Sequence, residues 1–531
     1  MRNRFDFDLP KKKLLLRLLP VLFGLVGVFI VFYSTSKYGA GVSGDSVDYI
    51  STADNLIRFH KLFDYGNGPF IFWPPLYPIL LAGISSLTGF DTFLVGWVLN
   101  AICFGLIVYL AGILFRHTFP ADSIWLLFGL LVTLTSLPIL QVAANITSDP
   151  LFIVLVLLFV NQGYRYLCQP RFANLLGLTL LAALGPVLRW HGATLVMSAV
   201  GLVLIANRKN LKSDLLHGLW AGILAATPFL IWVFGRNYRL YGTMLGERDL
   251  STINLQANIV DSILKISHWV LPDLIIRYIP PFVFLVGFGL FLILSNSWGS
   301  RREFLSRLGS PSHLPWVVFV TIDFIFVLLT TFTEDHPAHY DDRYYTPFFV
   351  FFFLFFAMAF NELVQKPLQN RKSHQQEKPV FPARALALIS FIWLIYPSYR
   401  VYKYVIVSHA HGEPTYNFYN TQEFQESEIT QYLLKNELDQ NKPIYSNFAG
   451  AVYFYTRKIN YKSPHTTESH TDLEYLETRF KNWPREGDAY LVWFLPNNWT
   501  HYLTPKELSA IVDITDVFTS DDGGIYLVTN P

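Results

Sequence analysis

The stretch Pro74-Pro75-Leu76-Tyr77-Pro78-Ile79-Leu80-Leu81-Ala82-Gly83-Ile84-Ser85-Ser86-Leu87-Thr88-Gly89-Phe90 decides how this chain is arranged. It is apolar enough to be counted among membrane crossings, yet it is a poor crossing. Three prolines crowd its start, Gly83 and Gly89 follow, and it is shorter than the ~20 residues a helix needs to traverse a ~30 Å hydrocarbon core. Residues 74–90 are therefore expected to lie along the bilayer as a juxtamembrane helix on the outer side.

Charge supports this placement. The chain has 531 residues, 52% hydrophobic, 17% aromatic and only 15% charged, against about 25% charged in an average soluble domain, which excludes an ordinary soluble enzyme. Apolar runs recur at 14–33, 93–115, 123–142, 149–167, 174–188, 191–206, 217–235, 280–296, 314–332, 344–363 and 384–406. If 74–90 crossed as well, the basic stretches 207–212, 301–307 and 366–384 would all face outward, against the rule that Lys and Arg stay inside. Without it, about eleven spans remain. Arg116, Arg165, Arg171, Arg208, Lys209, Lys212, Arg301, Arg302, Arg307, Lys366, Arg371 and Lys372 then share the cytoplasmic side.

Arg2, Arg4, Lys11, Lys12, Lys13 and Arg17 precede or open the first apolar run, which holds the amino terminus in the cytoplasm. That run is long and no small-residue cleavage site follows it, so it reads as an uncleaved helix. The fold class is a polytopic α-helical membrane protein of about eleven spans plus juxtamembrane helices, with a C-terminal soluble α/β domain. Residues 1–407 form the transmembrane domain and 408–531 an extracytoplasmic α/β domain. In the latter, 425–437 has helical spacing, while 444–446, 489–494, 511–517 and 525–528 read as strands, with Asp522-Gly523-Gly524 as a hairpin turn. No internal repeat of the kind found in secondary transporters is visible. A net charge of +2 and the lack of a basic tract interleaved with aromatics argue against a nucleic-acid partner. Cys103 and Cys168 match no metal or disulfide spacing.

This topology gathers five polar segments on one face: 35–73 (outer loop 1), 141–148, 189–190, 236–279 and 333–343. The first contains Gly44-Asp45-Ser46-Val47-Asp48-Tyr49-Ile50. On a helix Asp45 and Asp48 share a face, with Tyr49 beside them. Paired carboxylates there suit a general base with a supporting group; alternatively, Asp45 merely caps the helix over 46–60.

An Asp followed at these offsets by Tyr49 and Ala53, then by Pro74-Pro75-Leu76-Tyr77-Pro78 just after the first membrane helix, resembles the GT-C superfamily of membrane glycosyltransferases. The similarity in pattern is to protein O-mannosyltransferases and lipid A aminoarabinose transferases. Ser148-Asp149-Pro150, Arg189-Trp190-His191-Gly192, Arg236-Asn237 with Tyr241-Gly242, and Asp342-Arg343-Tyr344 with Pro347 extend the resemblance over nearly the whole membrane part. It implies a catalytic Asp in the first outer loop (Asp45), with Asp48, Tyr49 and Asp149 shaping the donor or acceptor site. Ser46 departs from relatives that carry a second acid there, which leaves open whether Asp48 takes over that work.

The implied reaction transfers a sugar from a polyprenyl-phosphate donor to a glycan, lipid or protein acceptor on the extracytoplasmic face, with inversion. It needs a base for the acceptor and cations for the departing phosphate. Arg189, Arg236 and Arg343, with Tyr344, are the candidates for the phosphate, since guanidinium grips its oxygens in a bidentate fork and stays charged near lipid; snorkelling interfacial anchors are the alternative. Alternative functions are an oligosaccharide ligase using a diphosphate-linked donor and a non-enzymatic lipid or solute transporter. No cofactor is certain. A divalent metal is a possibility, with His336, His339, Asp341 and Asp342 as weak ligand candidates against a solvated acidic loop. Asp323 lies inside the 314–332 run, where an ionisable group needs a partner or a cavity. Trp73, Tyr77, Trp269 and Tyr278 read as interfacial aromatics. Asn145-Ile146-Thr147 and Asn498-Trp499-Thr500 match the glycan acceptor tripeptide.

Overall fold

A computed structural model of the chain describes residues 9–120, 123–206, 211–246, 254–272, 275–276, 298–329, 342–361, 388, 390–435, 438–439, 441–465, 479–480, 483–484, 487–495 and 502–529. Five of its helical stretches, Leu16–Ser34, Thr92–Thr118, Asp149–Cys168, Asp214–Tyr241 and Asp342–Phe360, are long and apolar enough to cross a membrane. A bent pair makes a sixth. Leu25 and Phe29 on the first helix are largely exposed; water would penalise such apolar surface, whereas hydrocarbon chains would cover it. The chain is an integral membrane protein.

The helices that frame the site are α1 (Leu9–Ser34), α2 (Gly44–Phe59), α3 (Leu76–Thr88), α4 (Thr92–Thr118), α5 (Ile124–Leu134), α6 (Leu137–Ala143), α7 (Asp149–Cys168), α8 (Phe172–Leu188) and α9 (Ala193–Ala206). The stretch 74–90 forms α3, only 13 residues long, so it reaches about 20 Å against a ~30 Å core. Pro75 opens α3, Gly89 in the left-handed region closes it, and Tyr77 and Leu81 are buried. The expected span at 123–142 is instead the bent pair α5 and α6, meeting at 48°. Ser136 caps α6 and Pro138 occupies its first turn; proline cannot donate the hydrogen bond that would continue α5. Within the 384–406 run, residues 388 and 390–393 are helical and the helix Ile395–His411 follows; 384–387 and 389 lie outside the described residues. The described apolar helices do not establish eleven spans; the 280–296 run lies outside the described residues.

The chain beyond the Ile395–His411 helix ends in a five-stranded sheet of order β2-β1-β3-β5-β4. Its strands are β1 (Ile444–Ser446), β2 (Tyr461–Lys462), β3 (Ala489–Phe494), β4 (Asp513–Ser520) and β5 (Gly523–Thr529). β1 pairs in parallel with β2 and β3, while β3–β5 and β5–β4 are antiparallel. The expected helix over 425–437 is two short helices, Gln422–Glu426 and Glu428–Lys435. The sequence reading missed β2 and the Ala449–Thr456 helix.

This unit is pinned to the loop after α1. Tyr453 donates to Asp54 Oδ2 at 2.9 Å, and Thr92 donates to Asp54 Oδ1 at 2.7 Å. One buried carboxylate thus ties α2 to α4 and to the Ala449–Thr456 helix. Arg457 reaches Asp91 at 3.2 Å. Segment 417–420 grips the chain just before α2. Asn417 Oδ1 accepts from Val42 N, the Phe418 and Tyr419 amides donate to Val42 O, and Asn420 Nδ2 donates to Tyr38 O and Ala40 O.

Candidate active site

Asp45 enters the site because another residue caps its helix. Ser43 is the N-cap of α2, and Ser43 and Ser46 close a reciprocal capping box. Ser46 is fully buried in that box. Asp45 therefore sits in the first turn with its carboxylate turned to Arg343, whose Nη1 lies 3.0 Å from Asp45 Oδ2. Arg343 belongs to a 3-10 turn, Asp342–Phe348, that enters the next helix, and its guanidinium lies over the Tyr416 ring at 5.4 Å.

The second acid arrives through a single backbone contact. Gly41 forms a parallel bridge with Asn145: Gly41 N donates to Ala144 O at 2.8 Å and Ile146 N donates to Gly41 O at 3.0 Å. A side chain at Gly41 would place Cβ 2.0 Å from Asn145 Oδ1, so this approach requires glycine. Four residues downstream on each strand stand Asp45 and Asp149. Asp149, in the first turn of α7, lies 2.6 Å from Arg189 Nη1. Arg189 also donates to Ser148 Oγ at 3.3 Å, and that hydroxyl is 3.3 Å from the Tyr49 hydroxyl. Tyr344, next to Arg343, faces the ring of His191, two residues from Arg189, at 6.1 Å, which brings the two ion-paired segments together. The Asp45 side chain is 25% exposed and that of Asp149 only 3%: the first can meet an incoming group, the second holds Arg189.

Asp48 lies one turn on, half-buried. Burial, then the charges of Asp64 and Asp45, push its carboxyl well above the usual carboxylate range; Lys462 and a hydrogen bond with Trp73 act the other way. Asp64 is itself held in a turn by the amides of Gly66 and Gly68, each at 2.9 Å. The Tyr49 ring packs edge-on against Tyr77 at 5.0 Å, and Tyr77 donates to Asn100 Oδ1. Tyr77 is thus an interior strut rather than an interfacial aromatic.

The remaining sequence candidates divide. Arg236, in a π-helical turn Ile231–Tyr238, donates to Phe70 O at 2.9 Å, to Leu62 O at 3.1 Å and to Asn237 Oδ1 at 2.8 Å, and lies over Trp232. These contacts clamp outer loop 1 and leave Arg236 apart from the Asp45–Arg343 pair. Tyr344 faces the His191 ring at 6.1 Å. Asp342 lies 2.5 Å from Lys265 Nζ. His336, His339 and Asp341 lie outside the described residues, and among the described residues no three His, Cys, Asp or Glu side chains cluster to hold a metal ion. Asn145 is fully buried and donates to Gln141 O, which removes it as a glycan acceptor. Tyr278 and Asn498 lie outside the described residues. Sequence reading missed Ser148 as a link in the site and Asn417 and Asn420 as the grip on loop 1.

No family model matches the chain, and no curated protein matches its sequence. Solved structures do. ArnT from Cupriavidus metallidurans in the apo state aligns with a TM-score of 0.59 at 13% identity, over 96% of this chain and 97% of that one. Its undecaprenyl-phosphate-bound form aligns at 0.57 and 12% identity, over 96% and 98%. This is the GT-C fold. The oligosaccharyltransferase of Archaeoglobus fulgidus shares it, with a TM-score of 0.54, 13% identity and 92% of this chain on 70% of that one. At such identities the GT-C likeness fixes architecture, and the chemistry must be argued from the side chains.

Proposed function

We propose that the chain is a membrane glycosyltransferase that moves a sugar from a polyprenyl-phosphate donor to an acceptor hydroxyl or similar group on the extracytoplasmic face, with inversion. The observation that carries this is the pairing of a partly exposed carboxylate, Asp45, with Arg343 at 3.0 Å, beside Arg189 held by a buried Asp149. A base and two guanidinium groups on one face supply the proton acceptor and the countercharge that displacement of a phosphate leaving group uses.

In the step, Asp45 takes the acceptor proton as the acceptor oxygen bonds the anomeric carbon. The bond from that carbon to the phosphate oxygen breaks, and its electron pair leaves with the polyprenyl phosphate. Arg343 and Arg189 bear the resulting charge, with Tyr344 beside them. Asp149 keeps Arg189 in place, Asp48 and Tyr49 shape the acceptor side, and Arg236 holds outer loop 1 rather than the phosphate. In this arrangement about eleven spans surround the donor's lipid tail, α3 lies along the outer bilayer surface, the amino terminus is cytoplasmic, and residues 408–531 cover the site from outside.

The test supplies membranes with radiolabelled polyprenyl-phosphate sugars and compares the parent with Asp45→Asn. Transfer is expected in the parent and a loss of about 10²–10⁴-fold in the variant; undiminished transfer by the variant removes Asp45 as base. The second reading is an oligosaccharide ligase, motivated by the fold shared with the archaeal oligosaccharyltransferase. A diphosphate-linked donor that is used in preference to monophosphates would establish it.

A further inference from the structure

The turn after α8 sends three consecutive polar side chains in three directions. Arg189 goes to Asp149 in the site, Trp190 donates through Nε1 to Phe72 O of outer loop 1 at 2.9 Å, and His191 goes inward to Asp323. His191 Nε2 lies 2.7 Å from Asp323 Oδ1, and Thr194 donates to the same oxygen at 2.6 Å. Asp323 is fully buried and His191 nearly so, and the imidazole is packed against Phe152 and stacked on Phe326. Behind the turn, Gly192 packs directly on α8: a Cβ there would lie 2.1 Å from Gly185 O.

An acid in the middle of an apolar helix, Leu314–Leu329, is costly unless paired. Among the described residues its partners are His191, on the turn that also carries Arg189, and Thr194, in the first turn of α9 that follows it. We propose that Asp323 and His191 form a positioning pair that fixes the Arg189 turn from inside the membrane domain, setting the guanidinium on which donor phosphate binding depends. This inference rests on the donor reading above. Asp323 touches no reactant. It acts by denying the turn other orientations: with His191 tethered, residue 189 has one direction left, toward Asp149 and Ser148. Removing the tether lets Arg189 leave Asp149 without altering either residue.

The test uses the purified full chain in lipid nanodiscs and compares the parent with Asp323→Ala, Asp323→Asn, Arg189→Lys and the double variant Asp323→Ala with Arg189→Lys. Two quantities are read: the Kd for undecaprenyl phosphate, and the phenylglyoxal modification rate of Arg189 followed by peptide mass spectrometry. Asp323→Ala is expected to weaken lipid-phosphate binding about tenfold and to speed Arg189 modification several-fold. Asp323→Asn keeps the acceptor oxygen and is expected to restore both. The double variant is expected to bind no more weakly than Arg189→Lys alone. A purely structural Asp323 would lower the melting temperature yet leave the Kd and the Arg189 rate of the folded protein at parental values, and that outcome overturns the proposal. A double variant whose losses multiply overturns it as well. A parent that binds no undecaprenyl phosphate instead counts against the donor reading, while the Arg189 rate still decides for or against the positioning pair.

Discussion

Arg343 Nη1 and Asp45 Oδ2 meet at 3.0 Å across 298 positions of sequence. On the proposed reading, a phosphate arriving at Arg343 would compete with Asp45 for the same guanidinium, so donor binding and release of the carboxylate would be one event, freeing Asp45 as base when a sugar is in place.

This coupling separates the arginines. Arg343→Lys keeps the charge and loses the fork; it is expected to raise the donor KM by about tenfold while the acceptor KM stays within a factor of ~2. Arg343→Ala is expected to lower kcat/KM on the order of 10²–10³-fold. Arg236→Ala removes donors from Phe70 O and Leu62 O, so its expected signature is a lowered melting temperature with a smaller change in donor KM. Steady-state kinetics with each substrate varied in turn will check this; a parental donor KM in Arg343→Lys removes the phosphate role.

Asp48 offers a test by pH. Its folded-state carboxyl is raised, first by burial and then by Asp64 and Asp45. The folded state therefore holds a proton that the unfolded chain gives up near pH ~4. Stability from that proton is full below this pH and is lost as pH rises toward the folded-state value. Asp48→Asn mimics the protonated form and has no such loss. Its melting temperature relative to the parent is expected to climb between about pH 4 and pH 8. A constant difference across this window, measured by thermal denaturation in buffers of matched ionic strength, contradicts a raised carboxyl.

How much of this site could be seen in the sequence follows from the range of each interaction. The helix carrying Asp45 and Asp48 is a local pattern, and so is the short, proline-led α3. The capping box is local too, yet Ser43-x-x-Ser46 lacks the Glu or Gln that usually marks one, so Asp45 competed for the cap in the sequence reading. The bend between α5 and α6 was announced by Pro138, but continuous hydropathy hid it. Contacts such as Gly41 with Asn145, Asn420 with Tyr38 and His191 with Asp323 join residues far apart in the chain, and no spacing rule connects them. Asp323 was visible as an anomaly in an apolar run; its partner was not.

Gly41 sets the distance between the two acidic positions. In Gly41→Ala the new methyl would begin 2.0 Å from Asn145 Oδ1. Asn145 is buried and held by Gln141 O, so loop 1 and the start of α7 must part. A destabilisation of about 1–3 kcal/mol is expected, together with a fall in kcat exceeding that of a conservative substitution elsewhere in loop 1. Denaturation and kinetics on the same preparation will check it. Parental activity in Gly41→Ala would mean that the spacing of Asp45 and Asp149 does not govern the reaction.

Asn420 extends the same logic to the carboxy-terminal unit. Its amide nitrogen serves Tyr38 O and Ala40 O, and Gln425 donates to its Oδ1 at 2.6 Å. Asn420→Ala strips one donor from each of two backbone carbonyls in the segment leading to Asp45, and although Tyr38 O keeps Gln425 Nε2 at 3.1 Å, a loss of about 1–3 kcal/mol is expected. Because α2 stays tied through Asp54 to Thr92 and Tyr453, only the entry to α2 should loosen. Amide hydrogen exchange is expected to accelerate in residues 38–45 and to remain unchanged in 50–58, while kcat falls and the donor KM holds. Exchange that rises equally across both segments would show that the carboxy-terminal unit stabilises outer loop 1 as a whole and does not specifically set the approach of Asp45 to Arg343.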